Sequence, residues 1–325
     1  MTEKKVWLPK KKTVTLLEFE PDTGPLGALE IAGHTICSLI SAGTEINGSY
    51  NDSQNFNNYP KTSGYAAVFE VEQVGASVST IRPGDRVMGW LPHASYQRTS
   101  VSNVVSIPDS LDSKAAPFAR ITAVPAASIA RFFHRPGTKP ALVTGLGNVG
   151  IMAMQLYRAL GYEVIGMDVD EKRARFVSEQ FGLQAYSVLD ESYESTFGIA
   201  LECSGTQQAT LECCRLLGNE GELSLVGVPW KQTADLQSYL ILNRIFYKYL
   251  RCFSGWECDL PDNPTDTQPD SKLGAIRLAL RLLSEGKLRT DGLYSIEKPE
   301  NIQQIYASLA DHSAPASSVI LDWNL

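Results

Sequence analysis

Three glycines, Gly145, Gly147 and Gly150, followed by a carboxylate at Asp168, have the types and spacing to hold a dinucleotide. The run Ala141–Val143 is apolar and short, as a buried strand is, and Ile151–Leu160 has helical periodicity. The glycines therefore fall where a strand turns into a helix, the context in which G-x-G-x-x-G carries a mechanism. Gly145 permits the tight turn, Gly147 lets the backbone approach a pyrophosphate, and Gly150 lets the helix pack close to the strand. The helix N-terminus then presents N–H groups and a positive dipole end to the phosphates. A second apolar run, Glu163–Met167, ends at Asp168. A carboxylate there accepts ribose hydroxyls and repels a 2′-phosphate, so NAD(H) is expected over NADP(H).

These residues need a scaffold, and the chain divides in two. Up to about residue 122 it reads as mostly β, with strands expected at Thr13–Phe19, Ala28–Ala32, Thr35–Ile40, Tyr65–Val74 and Asp85–Gly89. From Ala123 the pattern alternates. A helix at Val124–Phe133 precedes the nucleotide strand, and Ile199–Cys203, Gln207–Leu217 and Glu222–Gly227 continue the series as strand, helix and strand. Such alternation marks a doubly wound parallel sheet. A polar, proline-rich loop at Asp259–Ser271 leads to an amphipathic helix, Lys272–Glu285, and a terminal strand, Ser317–Trp323. The expectation is an α/β protein with one domain at 1–122 with 270–325 and a second at 123–269.

Bulk properties narrow the function classes. The chain has 325 residues, 43% hydrophobic and 20% charged, an ordinary globular balance. No apolar run has membrane-spanning length, and the N-terminal stretch lacks the apolar core of a secretory signal. A net charge of −7 argues against nucleic-acid binding, and the Lys4–Lys12 cluster reads as a solvated terminus. Six cysteines without a C-x-x-C pair read as reduced thiols of a cytoplasmic protein.

With these pieces in order the chain resembles the medium-chain dehydrogenase/reductase family. The likeness is carried by Ser41-Ala-Gly-Thr-Glu45, Gly64-Tyr-Ala-Ala-Val-Phe-Glu-Val71, Gly84-Asp-Arg-Val87, the glycine motif, Gly221-Glu-Leu-Ser-Leu-Val-Gly-Val-Pro229 and the tail segments Leu282–Leu288 and Val319–Trp323. It implies a GroES-like β-rich catalytic domain built from both chain ends, a central Rossmann domain and a cleft between them. Zinc-dependent members carry a cysteine where this chain has Ala42, and a Gly-His-Glu where it has Gly64-Tyr65-Ala66. Their third ligand falls near Phe118–Val124, which holds no Cys, His, Asp or Glu. The four-cysteine structural lobe is replaced by Gly89–Gln97. The resemblance therefore implies a zinc-independent member, with no zinc expected. The open alternative is a substitute site of His34, Cys37 and His93.

Without a Lewis acid, a carbonyl must be polarised by hydrogen-bond donors aimed at the developing alkoxide. Thr44 matches the hydroxyl residue that relays protons in zinc-dependent relatives. Tyr65 stands at a ligand position, as a donor to substrate or as an aromatic plug. Glu45 is a base, an orienter of Thr44 or half of a salt bridge, the last being the better expectation. His93 is a general acid or, more simply, a surface loop histidine. On the cofactor side the resemblance puts the backbone of Leu146, Asn148 and Val149 against the pyrophosphate. It brings Cys203 and Ser204 near a ribose, Gly227, Val228, Pro229 and Ser254 near the nicotinamide, and Arg173 near the adenine ribose, where it leaves room for NADP.

The expected activity is hydride transfer between NAD(H) and an alcohol/carbonyl substrate such as a polyol, cyclitol or biosynthetic intermediate. The alternatives are an enoyl or quinone C=C reductase and a catalytically silent NAD-binding protein. The expected partner is a small-molecule substrate, with neither nucleic acid nor membrane. A homodimer is expected from family habit, joined near Tyr249–Ser254.

Overall fold

Alternating burial builds the first strands from a segment that looks charged. In β1 (Glu3–Lys10) Val6 and Leu8 are fully buried while the lysines stay outside, and Lys5 lies over the rings of Trp7 and Phe19. The Lys4–Lys12 cluster is thus largely a core strand and not merely a solvated terminus. The structure is a computed structural model that describes residues 2–55 and 58–325. Contacts divide the chain into two units. One comprises the residues up to Arg120, Ile276–Ser284 and Thr290–Leu325, and the other comprises Ile121–Ala275 and Glu285–Arg289.

In the first unit β1 pairs with β2 (Thr13–Phe19) and β4 (Lys61–Thr62) as a three-stranded antiparallel sheet. The two runs expected at 28–32 and 35–40 form one twelve-residue strand, β3 (Glu30–Ser41), because Gly33 is accommodated within it against the backbone of Glu70. Beyond it lie β5 (Ala67–Glu70), β6 (Gln73–Val74), β7 (Arg86–Gly89), β8 (Tyr96–Ser100) and β9 (Val104–Ser106).

The unit boundary falls inside α1 (Phe118–Ala126). This helix starts six residues before the expected Val124, and Pro125 lies near its C-terminal end, followed by a tight turn at Ile129–Arg131. The second unit then alternates β10 (Ala141–Thr144), α2 (Asn148–Ala159), β11 (Val164–Met167), α3 (Glu171–Phe181), β12 (Gln184–Tyr186), β13 (Phe197–Glu202), α4 (Gln207–Leu216), β14 (Leu217–Leu225), α5 (Ser238–Lys248) and β15 (Arg251–Ser254). The sheet order is β12-β11-β10-β13-β14-β15 with every pair parallel, so the direction of winding reverses between β10 and β13. Its core joins Leu142, Phe197, Ala200, Cys213, Leu217 and Leu223.

Most of α6 (Lys272–Ser284) already belongs to the first unit, which β16 (Tyr294–Glu297), α7 (Ile302–Ala310) and β17 (Ser318–Asp322) then complete. β17 pairs with β3, Ser318 opposite Ser41, and completes the sheet β16-β17-β3-β5-β7-β9, onto which β6 and β8 add at β3. The architecture is the expected pair of a GroES-like mixed sheet and a doubly wound Rossmann sheet. Among the described residues no helix is long and apolar enough to cross a membrane. All six cysteines are free.

Candidate active site

In the second unit the carboxyl ends of three strands meet backbone to backbone. Gly145 turns at φ +80°, and a Cβ on it would lie 2.6 Å from the Ser204 nitrogen. Gly205 and Gly227 abut in the same way, with the Val228 carbonyl pressed on Gly205. A Cβ on Gly150 would overlap the Gly145 carbonyl oxygen, so that glycine serves the turn more than the strand it was expected to serve. Gly147, at the N-cap of α2, faces open space. Asn148 and Val149 form the first turn of α2, the kind of helix end at which a pyrophosphate binds.

Asp168 is buried and already engaged. One carboxylate oxygen accepts the Leu146 N–H at 2.7 Å and the Arg173 guanidinium at 2.9 Å, and the other accepts the Asp170 N–H at 2.9 Å. The Leu146 N–H therefore points to Asp168 and not to a phosphate, which corrects the expectation for that residue. Arg173 does lie beside the acid at the end of β11, half exposed. Below the Ser204–Gly205 turn sits Glu202, whose carboxylate accepts both backbone N–H groups. Burial raises its pKa against those bonds. Cys203 is half-buried with its thiol pushed well up by burial. Ser204, Val228 and Pro229 are exposed at the mouth. Ser254 ends the outermost strand opposite Leu225, with β13 and β14 between it and β10, and is not brought to the glycine turn.

In the first unit a π-type helical turn, Ala42–Tyr50, folds Glu45 inward and leaves Thr44 exposed. One oxygen of Glu45 accepts the Ser41 N–H at 2.9 Å, closing the turn on its own N-cap. The other accepts Ser63 Oγ at 2.8 Å and Tyr306 Oη at 3.0 Å, and meets His93 Nε2 at 2.9 Å. His93 Nδ1 lies 2.8 Å from Ser38 Oγ, which also accepts the Trp323 indole N–H at 3.0 Å. His93 is wholly buried, against the surface position expected for it, because Gly64 at φ +98° leaves room for its ring; a Cβ there would lie 2.7 Å from His93 Cγ. Burial would raise the Glu45 pKa, but the charge and hydrogen bond of His93, with the Ser41 and Ser63 donors, hold it below the ordinary value. Glu45 and His93 thus form a buried, hydrogen-bonded pair.

Tyr65 lies on the opposite side of that turn. The hydroxyls of Ser41 and Thr44 hydrogen-bond its phenol oxygen. Arg120, in the first turn of α1 and 2% exposed, places its guanidinium carbon 4.8 Å from the Tyr65 ring centre and 3.8 Å from that of Trp90. Burial, the largest influence, pushes the Tyr65 pKa above the ordinary phenol value and Glu45 adds to the rise, while Arg120 and the two hydroxyls act against it.

Residues 148–265 match the family model for the zinc-binding dehydrogenase domain. The chain is 26% identical over 213 residues to L-threonine 3-dehydrogenase of Anaeromyxobacter sp. (strain K), an alignment covering 52% of this chain and 60% of that protein's length. The whole chain superposes on galactitol-1-phosphate dehydrogenase from Escherichia coli with a TM-score of 0.81 at 20% identity, covering 98% and 99% of the two chains. A zinc-binding dehydrogenase from Sinorhizobium meliloti 1021, solved bound to NADP, gives 0.77 at 17% identity over 99% of both. The fold is that of the medium-chain dehydrogenases/reductases.

Within the medium-chain dehydrogenase/reductase fold, Ala42, Tyr65 and the stretch containing Arg120 stand where the zinc ligands of metal-dependent members were expected. A methyl, a phenol and a guanidinium make no ligand set for zinc, and the fixed cation opposes a second one. His34, Cys37 and His93 do not converge either. His34 pairs with Glu72 and Glu3, the Cys37 thiol donates to the Ser113 carbonyl, and His93 is held by Ser38 and Glu45. Among the described residues no group of three or more His, Cys, Asp or Glu comes together as a metal site.

Arg120, Trp90, Ser63 and Tyr306 were not anticipated. For Arg120 a signal existed, a lone charge inside the apolar stretch Ala115–Ala127. For Ser63 and Tyr306, far apart in sequence, none did.

Proposed function

We propose that the protein is an NAD(H)-dependent oxidoreductase that interconverts an alcohol and a carbonyl group without zinc. The observation that carries this reading is the glycine turn at the reversal point of the parallel sheet, with open space over Gly147 at the helix end. Gly145, Gly147, Asn148, Val149 and Gly150 would hold the pyrophosphate, Asp168 the adenosine ribose, and Ser204 with Gly227 to Pro229 the remaining half. A bound nicotinamide supplies or accepts the hydride. The chain's own part is proton handling. Thr44 and Tyr65 present hydroxyls to the substrate oxygen, while Glu45 and His93 keep the turn that carries Thr44 in shape.

Arg173 favours a second cofactor reading, since its half-exposed guanidinium can receive a 2′-phosphate. We further propose a cytoplasmic homodimer, supported by the exposed Tyr239, Leu242, Phe246 and Tyr247 of α5 next to the edge strand β15. The first experiment titrates metal-stripped protein with NADH and NADPH, then screens secondary alcohols, polyols and their ketones. Tight NADH binding with turnover of a ketone and no bound zinc supports the reading. NADPH preference with turnover of enones only would replace it with C=C reduction, and zinc bound at one per chain would sink the metal-free site.

A further inference from the structure

Arg120 is unusual on three counts that are independent of any substrate. It is 2% exposed, it stands in the first turn of a helix that has no acidic residue there, and its guanidinium is stacked on two aromatic rings. A cation at a helix N-terminus opposes the dipole, and a buried charge is costly unless its surroundings compensate. The faces of Trp90 at 3.8 Å and Tyr65 at 4.8 Å compensate in part. The two rings are themselves 6.0 Å apart and tilted by 47°, so the cation touches both.

The phenol oxygen at the end of this stack is the atom to which the Ser41 and Thr44 hydroxyls are bonded. Thr44 is exposed, so the path from the phenol reaches water through one side chain. The charged and titratable groups facing Tyr65 are Arg120 from α1, Glu45 from the helical turn and Tyr306 from α7. Glu45 acts against ionisation of the phenol and is itself tied to His93, so among the charged groups Arg120 favours the phenolate, beside the Ser41 and Thr44 hydroxyls.

We propose that Arg120 is a positioning residue that sets the acidity of the Tyr65 hydroxyl, making Tyr65, with Thr44 behind it, the proton-exchange group of this site. The inference rests on the oxidoreductase reading for its place in a reaction. In the reductive direction the hydride comes from the bound nicotinamide to the substrate carbon. The Tyr65 O–H bond breaks as an O–H bond forms on the substrate oxygen, leaving a phenolate that Arg120 stabilises. Thr44 returns a proton to that phenolate while taking one from water.

The test titrates Tyr65 directly, by the Cζ carbon resonance of labelled tyrosine assigned with Tyr65→Phe, in the full-length protein. Arg120→Gln should move the midpoint up by at least one pH unit, and Arg120→Lys, which keeps the charge and loses the planar stack, should fall between it and wild type. An unchanged midpoint in either variant overturns the coupling, so the lysine variant decides the matter if the neutral one does not fold. With a turned-over ketone in hand, Arg120→Gln should lower kcat by at least tenfold without weakening NADH binding. In the Tyr65→Phe background the same change should cost less than threefold. Equal losses in both backgrounds overturn the inference. A shifted midpoint without turnover of any alcohol or ketone sinks the proposed activity and leaves the Arg120–Tyr65 coupling standing.

Discussion

The imidazole of His93 meets the carboxylate of Glu45 at 2.9 Å where solvent reaches neither group. Removing one partner of a buried pair leaves the other uncompensated, at a cost of about 3–5 kcal/mol. Glu45→Ala should lose that much in urea unfolding at neutral pH, and Thr44→Ala, on the exposed neighbour, less than about 0.5 kcal/mol. Comparable losses in both variants would show that the pair does not hold the turn.

The same carboxylate gives a pH signature. Its pKa lies below the ordinary glutamate value of 4.5, so its contribution is fully present above that value and is lost as pH falls through the lower folded value. Unfolding free energy measured against pH should show this acid-side fall in wild type. In Glu45→Gln the fall should be smaller, and an identical slope would assign the acid sensitivity elsewhere.

Gly147 and Gly150 separate binding from folding. Gly147→Ala adds a methyl into open space, so stability should change by less than about 1 kcal/mol while NADH affinity drops at least ~tenfold. Gly150→Ala meets the Gly145 carbonyl and should cost about 1–3 kcal/mol despite the better helix propensity of alanine. Denaturant curves and cofactor titrations on both variants read the two effects; equal stability would remove the close-approach argument.

Asp168 and Arg173 form one switch for the ribose end. Asp168→Ser removes the anion and releases the guanidinium, so the NADPH-to-NADH affinity ratio should rise by about tenfold or more. Arg173→Ala should move it the other way. Fluorescence titration with both cofactors suffices, and an unmoved ratio in Asp168→Ser would place recognition of the ribose elsewhere.

The apolar face of α5 predicts an association. Leu242→Glu with Phe246→Glu changes two exposed side chains, so the fold should persist while sedimentation shifts from dimer to monomer. A wild-type monomer at micromolar concentration would refute the dimer without touching the active-site reading.

Much of the second unit was legible because its strands are short apolar runs bounded by glycine and its helices repeat at helical spacing. β10 and α4 lie within a few residues of expectation, and Asp168 caps β11 as its spacing requires. The first unit was harder. Lysines flanking Val6-Trp7-Leu8 masked β1, and α1 starts at Phe118, six residues ahead of its expected start. The site was half legible. Thr44 and Tyr65 stand together, but His93 went inward because Gly64 makes room for it, a relation that needs the folded backbone. Arg120 escaped because the stretch around it was searched for metal donors, and a guanidinium is none.

The pairing of β17 with β3 closes the first unit from either side of Ile121–Ala275, the segment that makes most of the second unit. During synthesis the central sheet can finish while the mixed sheet of the first unit still lacks β17, since domains form as units once their residues have emerged. Until Ser318–Asp322 has emerged, β3 presents an unpaired edge of buried-type residues, Cys37 to Ile40. Deleting Ser318–Asp322 should therefore yield a protein whose nucleotide-binding half is sound and whose other half aggregates.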